Sequence, residues 1–142
     1  MSRRRSGRPS EEPLEIFVLD CEALSAAVRG DRRMMAVLKL AAKGDADVVT
    51  SALTLVEAHD GRITEQRWDW VMSRVDVAAI GKSEAKAARK LLTDVGLHGH
   101  KYAIDACLAV IARRQRGDVT VLTSDVEDLE KLVPETVLVR KV

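Results

Sequence analysis

A three-layer α/β/α sandwich around a central parallel sheet is the fold class that this sequence predicts. Short apolar runs alternate with longer stretches of helical periodicity from Leu14 onward, and strands that alternate with helices imply a parallel sheet covered on both faces. The core material agrees: 46% of the residues are hydrophobic but only 3% are aromatic, so Ala, Val, Leu and Ile must fill the layers. A chain of 142 residues suits one domain, which at that size buries roughly 68 to 70% of its unfolded surface.

Residues 1–13 are rich in Arg, Ser, Glu and Pro without apolar periodicity and read as a disordered basic arm ahead of a single domain spanning 14–142. Residues 14–19 read as a strand. Residues 21–29 and 32–43 read as helices parted by Gly30-Asp31 and stopped at Gly44. A short strand over 47–50 leads into a helix through Glu57; residues 64–74 form another helix, followed by a strand over 75–80. Ser83-Glu84 opens an Ala-rich helix that ends before Gly96. The helix over 101–115 is apolar enough in its centre to be buried, and 119–123 is the next strand. A short helix over 126–132 is closed by Pro134, and 136–139 is the last strand.

Composition narrows the function classes. The formal net charge of +1, from 23 Lys and Arg against 22 Asp and Glu, gives no argument for a polyanion by itself. Neutralisation of a few acids would leave a basic surface, with Arg29, Arg32, Arg33, Lys101, Arg113, Arg114 and Arg116 as candidates for phosphate contacts or as solvated helix faces. Cys21 and Cys107 have neither metal-site spacing nor a disulfide framework and read as small buried hydrophobes in a reducing compartment. No apolar run approaches the roughly 18 residues of a membrane span, and the basic start runs into Ser-Glu-Glu-Pro instead of a hydrophobic signal region. A cytoplasmic protein without membrane contact is expected. Neither a Gly-rich phosphate loop nor a Gly-x-Ser-x-Gly elbow is present, so nucleotide kinases and serine hydrolases lack support.

Four acids stand out, each inside or just after an apolar run: Asp20, Glu57, Asp105 and Asp125. Each has a structural reading. Asp20 suits an N-cap for the helix that follows, and Thr54-Leu-Val-Glu57 and Ser124-Asp-Val-Glu127 match the capping-box pattern. Asp125 and Asp128 fit the acidic first turn of a helix. Asp105 is mid-helix and cannot cap; a salt bridge is its structural alternative. Buried carboxylates are costly unless paired or bound to a cation, and one shared site explains all four more economically than four separate excuses. Oxygen ligands suit a hard ion, Mg²⁺ or Mn²⁺. Asp20 and Asp125 would meet at the carboxyl ends of strands, where ligands of parallel sheets gather.

His98-Gly-His100 reads as an exposed loop ahead of the Asp105 helix, and Trp68 and Trp70 as core or subunit-contact residues. Apolar residues near Met34, Met35, Leu38 and Trp68 exceed one helix face and suggest a homodimer.

The order Phe17-Val-Leu-Asp20, Thr50-Ser-Ala-Leu-Thr-Leu-Val-Glu57, Ile104-Asp105-Ala106 and Val121-Leu-Thr-Ser-Asp125-x-x-Asp128-Leu129 resembles the PIN domain, in particular the VapC-type toxin nucleases. The resemblance runs from Leu14 to Val142. It implies a PIN-like fold, a metal-dependent endoribonuclease acting on single-stranded RNA, products with 5′-phosphate and 3′-hydroxyl ends, and a cognate antitoxin as partner. By the same resemblance Asp20, Glu57, Asp105 and Asp125 are the catalytic and metal-holding acids and Asp128 an auxiliary metal ligand. Cys21 departs from the family, which often has Ser or Thr there, and the basic arm is longer than such toxins carry.

Two other classes compete. A catalytically silent module of the same fold would bind RNA or protein and have no need of the acids. A phosphoacceptor receiver domain also sets acids at strand ends, but its later strand-end Lys has no counterpart that pairs with an acceptor Asp here.

Overall fold

The computed structural model describes residues 14–142, so the arm expected over 1–13 lies outside the described residues. Five parallel strands form one sheet: β1 (Glu15–Leu19), β2 (Asp47–Ser51), β3 (Asp76–Ala78), β4 (Asp118–Thr123) and β5 (Leu138–Lys141), in the order β3-β2-β1-β4-β5. Seven helices connect them: α1 (Cys21–Val28), α2 (Arg32–Ala42), α3 (Ala52–Glu57), α4 (Glu65–Met72), α5 (Lys82–Val95), α6 (Gly99–Arg114) and α7 (Val126–Leu132).

Strand alternation divides the core in two. Ile16 and Val18 of β1, Val49 of β2 and Val119 and Val121 of β4 pack with α5, α6 and α7. Leu19, Val48 and Leu122 face the other way, onto α1, α2 and α4. The expected three-layer α/β/α sandwich is therefore the fold. Residues 106–112 of α6 are all buried, as their apolar run requires, and Leu19, Leu24, Leu38 and Leu108 are among the largest fully buried side chains. Each contributes about 1.5–3 kcal/mol by leaving water.

Some boundaries differ from the pattern reading, for local reasons. The last strand starts at Leu138, not at 136, because a turn closed by the Val137 amide on the Pro134 carbonyl takes up those residues. The third strand is confined to Asp76–Ala78, and α4 to Glu65–Met72. His98 is not a free loop residue: its Nδ1 accepts the His100 amide and caps α6, which begins at Gly99, although both imidazoles stay exposed. Neither capping-box pattern acts as one. Ser51 caps α3 by accepting the Thr54 amide, which leaves Glu57 at the other end of that helix, and Asp125 rather than Ser124 caps α7. Cys107 is buried, but Cys21 is only partly so.

The surface suggested for a homodimer is corrected as well. Met34, Leu38 and Trp68 are buried against the chain's own core, and Met35 is partly buried there. Trp70 is exposed, with the Arg67 and Arg74 guanidinium groups 4.9 and 3.9 Å from its ring centre.

Gly117, between α6 and β4, has φ +136°, and a Cβ there would collide with the carbonyl oxygen of Leu14. Gly117→Ala should destabilise the fold by about 1–3 kcal/mol in denaturant titrations. Gly61→Ala, where a Cβ meets nothing within 4 Å, should leave stability nearly unchanged; equal midpoints for the two variants would refute this reading of the close approach.

Candidate metal centre

β1 connects leftward to β2, and β4 lies on its other side, so the sheet order reverses between β1 and β4. In open α/β sheets this reversal leaves a crevice at the carboxyl ends of the strands. Asp20 ends β1 there and Ser124 and Asp125 follow β4, with the Asp20 amide donating to the Leu122 carbonyl at 3.1 Å.

Asp20 is 7% exposed and accepts three hydrogen bonds: from the Ala23 amide at 2.9 Å, the Thr123 hydroxyl at 2.5 Å and the Ser124 amide at 3.2 Å. The first is the N-cap of α1. Burial nonetheless outweighs these donors and pushes the carboxyl above its ordinary pKa, with Glu22 adding to the rise. The Thr123 hydroxyl also accepts the Asp125 amide at 2.9 Å, so one buried threonine ties the two strand ends together. Within the strand-end pattern of the sequence, the one signal for Thr123 is a hydroxyl directly before Ser-Asp.

Asp105 approaches from α6 in the opposite layer. It is half-buried in mid-helix, and among the described residues no cation lies within salt-bridge distance, which removes its structural alternative. Burial raises its pKa to about 6, helped in turn by the charges of Asp20, Asp125, Glu57 and Asp128. All the acids singled out in the sequence thus act on Asp105. They are not equally close. One carboxylate oxygen each from Asp105, Asp125 and Asp128 lies within 4.8 Å of the others, whereas Asp20 and Glu57 stand outside this trio. Asp128 therefore shares the 4.8 Å group with Asp125, contrary to the longer reach its place in a helix suggests, although its charge acts on Asp105 less than that of Asp125.

Asp125 is exposed, and Asp128 is half-buried with its pKa raised by a hydrogen bond to Asp125, then by burial and the Asp125 charge. Lys131 stands 3.6 Å from Asp128. Glu57, exposed at the end of α3, also disfavours the Cys21 thiolate: burial first, then the Glu57 charge, push that thiol to about 11. The hydroxyl that Cys21 lacks reaches Asp20 from Thr123 instead.

The candidate cations separate too. Arg114 is engaged by Glu84 and Ser83, Arg113 by the Leu132 carbonyl and Arg33 by the Lys141 carbonyl. Lys101 lies one turn before Asp105 on α6, with its ammonium 5.1 Å from the Tyr102 ring centre and its charge favoured by Tyr102 first and then by Asp128 and Asp125. An all-oxygen donor set this close fits a hard divalent cation, and nothing in it favours zinc.

The raised carboxyls set a pH dependence. Folded Asp105 binds its proton more tightly than the unfolded chain does, so its contribution to stability is full below about pH 4 and is lost as pH rises through about 6. Without divalent cations Asp105→Asn should therefore melt at a higher temperature than the parent at pH 8. The difference should shrink steadily toward pH 4; a constant difference across this window in calorimetry would show that Asp105 titrates normally.

No protein-family model matches this sequence, and no curated protein matches it. Among solved structures it is similar to a chain in the crystal structure of VapBC2 from Rickettsia felis bound to a DNA fragment from their promoter, with a TM-score of 0.62. The match covers 89% of this chain and 98% of that one at 13% identity, a likeness of fold, and the fold is PIN-like.

Proposed function

We propose that this chain is a Mg²⁺- or Mn²⁺-dependent endoribonuclease that hydrolyses phosphodiester bonds of single-stranded RNA, and the toxin of a type II toxin-antitoxin pair. The observation that carries the reading is Asp105: a half-buried acid in mid-helix with no cation in salt-bridge distance among the described residues, and with the charges of four further acids acting on it. A structural carboxylate has no use for that company. The fold shared with a VapBC2 chain supports the same reading, and an antitoxin is the partner it implies.

In this reading Asp105, Asp125 and Asp128 hold the ion, with Asp20 and Glu57 completing the charge around it. When bound, the ion lowers the pKa of water and stabilises charge on the attacking and leaving oxygens. The chain's own residues do the positioning. Thr123 and the α1 N-terminus hold Asp20 in one rotamer, the buried centre of α6 fixes Asp105, and the Asp125 cap fixes the start of α7. Lys101 offers its ammonium to a substrate phosphate from the same face of α6 as Asp105.

No helix among the described residues is long and apolar enough to cross a membrane; a cytoplasmic location is part of the toxin reading. Self-association is part of the reading, but on α3, where Leu53 and Val56 are exposed. Val56→Glu should shift light-scattering mass toward the monomer, and an unchanged mass at equal concentration would exclude that surface.

Purified free of partners, the protein should cleave unstructured RNA with Mg²⁺ or Mn²⁺ and stop on addition of EDTA; cleavage that survives EDTA unchanged would exclude the metal. Asp105→Asn should slow single-turnover cleavage by at least about 100-fold, since each tenfold is worth about 1.4 kcal/mol of transition-state stabilisation. The same variant should lose most of the rise in melting temperature that Mg²⁺ produces in the parent. Asp125→Asn and Asp128→Asn should each be damaging, as both belong to the close trio. Lys101→Gln should weaken binding of uncleaved RNA and reduce the salt dependence by about one phosphate contact. An identical Mg²⁺ increment in parent and Asp105→Asn would remove Asp105 from the site.

A further inference from the structure

A parallel sheet of this architecture is ordinarily covered on both faces. Among the described residues, part of one face here is left open. Between α2 and strands β4 and β5 runs an open groove of about 560 Å³. Phe17, the one phenylalanine of the chain, lies in the middle of central strand β1 and lines this groove only partly buried, whereas Ile16 and Val18 beside it on the opposite face are 2% and 0% exposed. Leu138 of β5 is 48% exposed, and Val37 of α2 is half-buried on the facing wall. An apolar floor of this kind in mid-sheet is the place where a missing layer would sit.

The rim has a sign. Arg33 from the first turn of α2 and Arg140 and Lys141 from β5 line the groove, against Glu15 as the one acidic side chain among the described residues that line it. A guanidinium nitrogen of Arg33 donates to the Lys141 carbonyl at 3.3 Å, which joins the two walls at one end. We infer that this groove is the docking surface for an acidic, apolar segment of a partner protein. The floor demands aliphatic or aromatic side chains, which a nucleic-acid backbone does not offer, and the rim demands carboxylates. A second copy of this chain fits poorly: across a twofold axis the same three cations would face one another. The inference deepens the toxin-antitoxin reading by giving the partner a place and a chemistry, and rests on it only for the kind of partner.

Two fluorescein-labelled 15-residue peptides test it, both with leucines on one helical face and with either glutamates or lysines on the other. Titrated against the full chain in low salt, the glutamate peptide should bind saturably by anisotropy and the lysine peptide at least about tenfold more weakly. Arg33→Glu and Arg140→Glu change exposed side chains and should each weaken the glutamate peptide about tenfold, with unchanged circular-dichroism melts. Absence of saturable binding, or binding that both charge reversals leave intact, would overturn the inference. Displacement of the peptide by single-stranded RNA would reassign the groove to nucleic acid. Binding that emerges only after removal of residues 1–13 would reassign it to the chain's own arm. Cleavage is not read in this experiment: a chain that cuts RNA and ignores the peptide loses this inference alone, and one that binds the peptide but leaves RNA intact loses the nuclease reading alone.

Discussion

The hydrogen bond from the Thr123 hydroxyl to Asp20 is the contact on which the carboxyl edge of the sheet depends. It crosses from β1 to β4 just past the last rung of their backbone ladder, the Asp20 amide on the Leu122 carbonyl, and extends the tie between the two strands by a side chain. A buried carboxylate without donors would cost several kcal/mol, so Asp20 would turn away or take up a proton if Thr123, Ala23 and Ser124 did not reach it. Hydrogen bonds to a charged group return about 1.5–3 kcal/mol each. That is enough to keep the side chain in place and not enough to make its charge comfortable, since its pKa still lies above the ordinary value.

This discomfort is concentrated and is offset elsewhere. Asp105 meets the repulsion of four other acids at the surface of a helix whose next seven residues, 106–112, are buried in aliphatic core. The core supplies the stability that the acids subtract. It also denies them relief: with α6 clamped by its own burial and Asp20 and Asp125 fixed as helix caps, the carboxylates cannot separate. In the proposed reading a cation would find Asp105 and Asp128 half-buried and Asp125 held as a helix cap, a form of preorganisation that raises affinity.

The sheet, all seven helices and the acids were legible in the sequence because each has a local signal: periodicity, a glycine stop, or a charge at the end of an apolar run. Long-range partners were not. The capping-box pattern pointed to Thr54 and Ser124, but a hydroxyl three residues before a glutamate says nothing of where the backbone leaves helical geometry, and the true caps are Ser51 and Asp125. Thr123 looked like an ordinary strand threonine because its partner Asp20 is 103 residues away. Met34, Leu38 and Trp68 looked like surplus apolar surface because the layer that covers them comes from distant elements. Nor does the sequence mark Phe17, inside an apolar strand run, as the partly open residue that lines the groove.

The acidic edge and the cationic groove are separate surfaces, yet few contacts lie between them. Arg33 donates to the Lys141 carbonyl, the Lys141 ammonium donates to the Ser124 carbonyl at 3.2 Å, and the Ser124 amide donates to Asp20. Arg33 and Lys141 line the groove, and Asp20 stands beside the acids. Proximity alone carries no regulation, because a ligand shifts a site only through contacts that differ between two arrangements of the protein. The Lys141 side chain meets that condition: it is exposed, among the described residues it both lines the groove and bonds to the loop after β4, and a carboxylate docked in the groove as proposed would compete with the Ser124 carbonyl for its ammonium. Withdrawal of that lysine would free the Ser124 carbonyl while the Ser124 amide stays on Asp20, the Asp125 amide on the Thr123 hydroxyl and the Thr123 carbonyl on the Val142 amide, so the strand end itself would remain anchored.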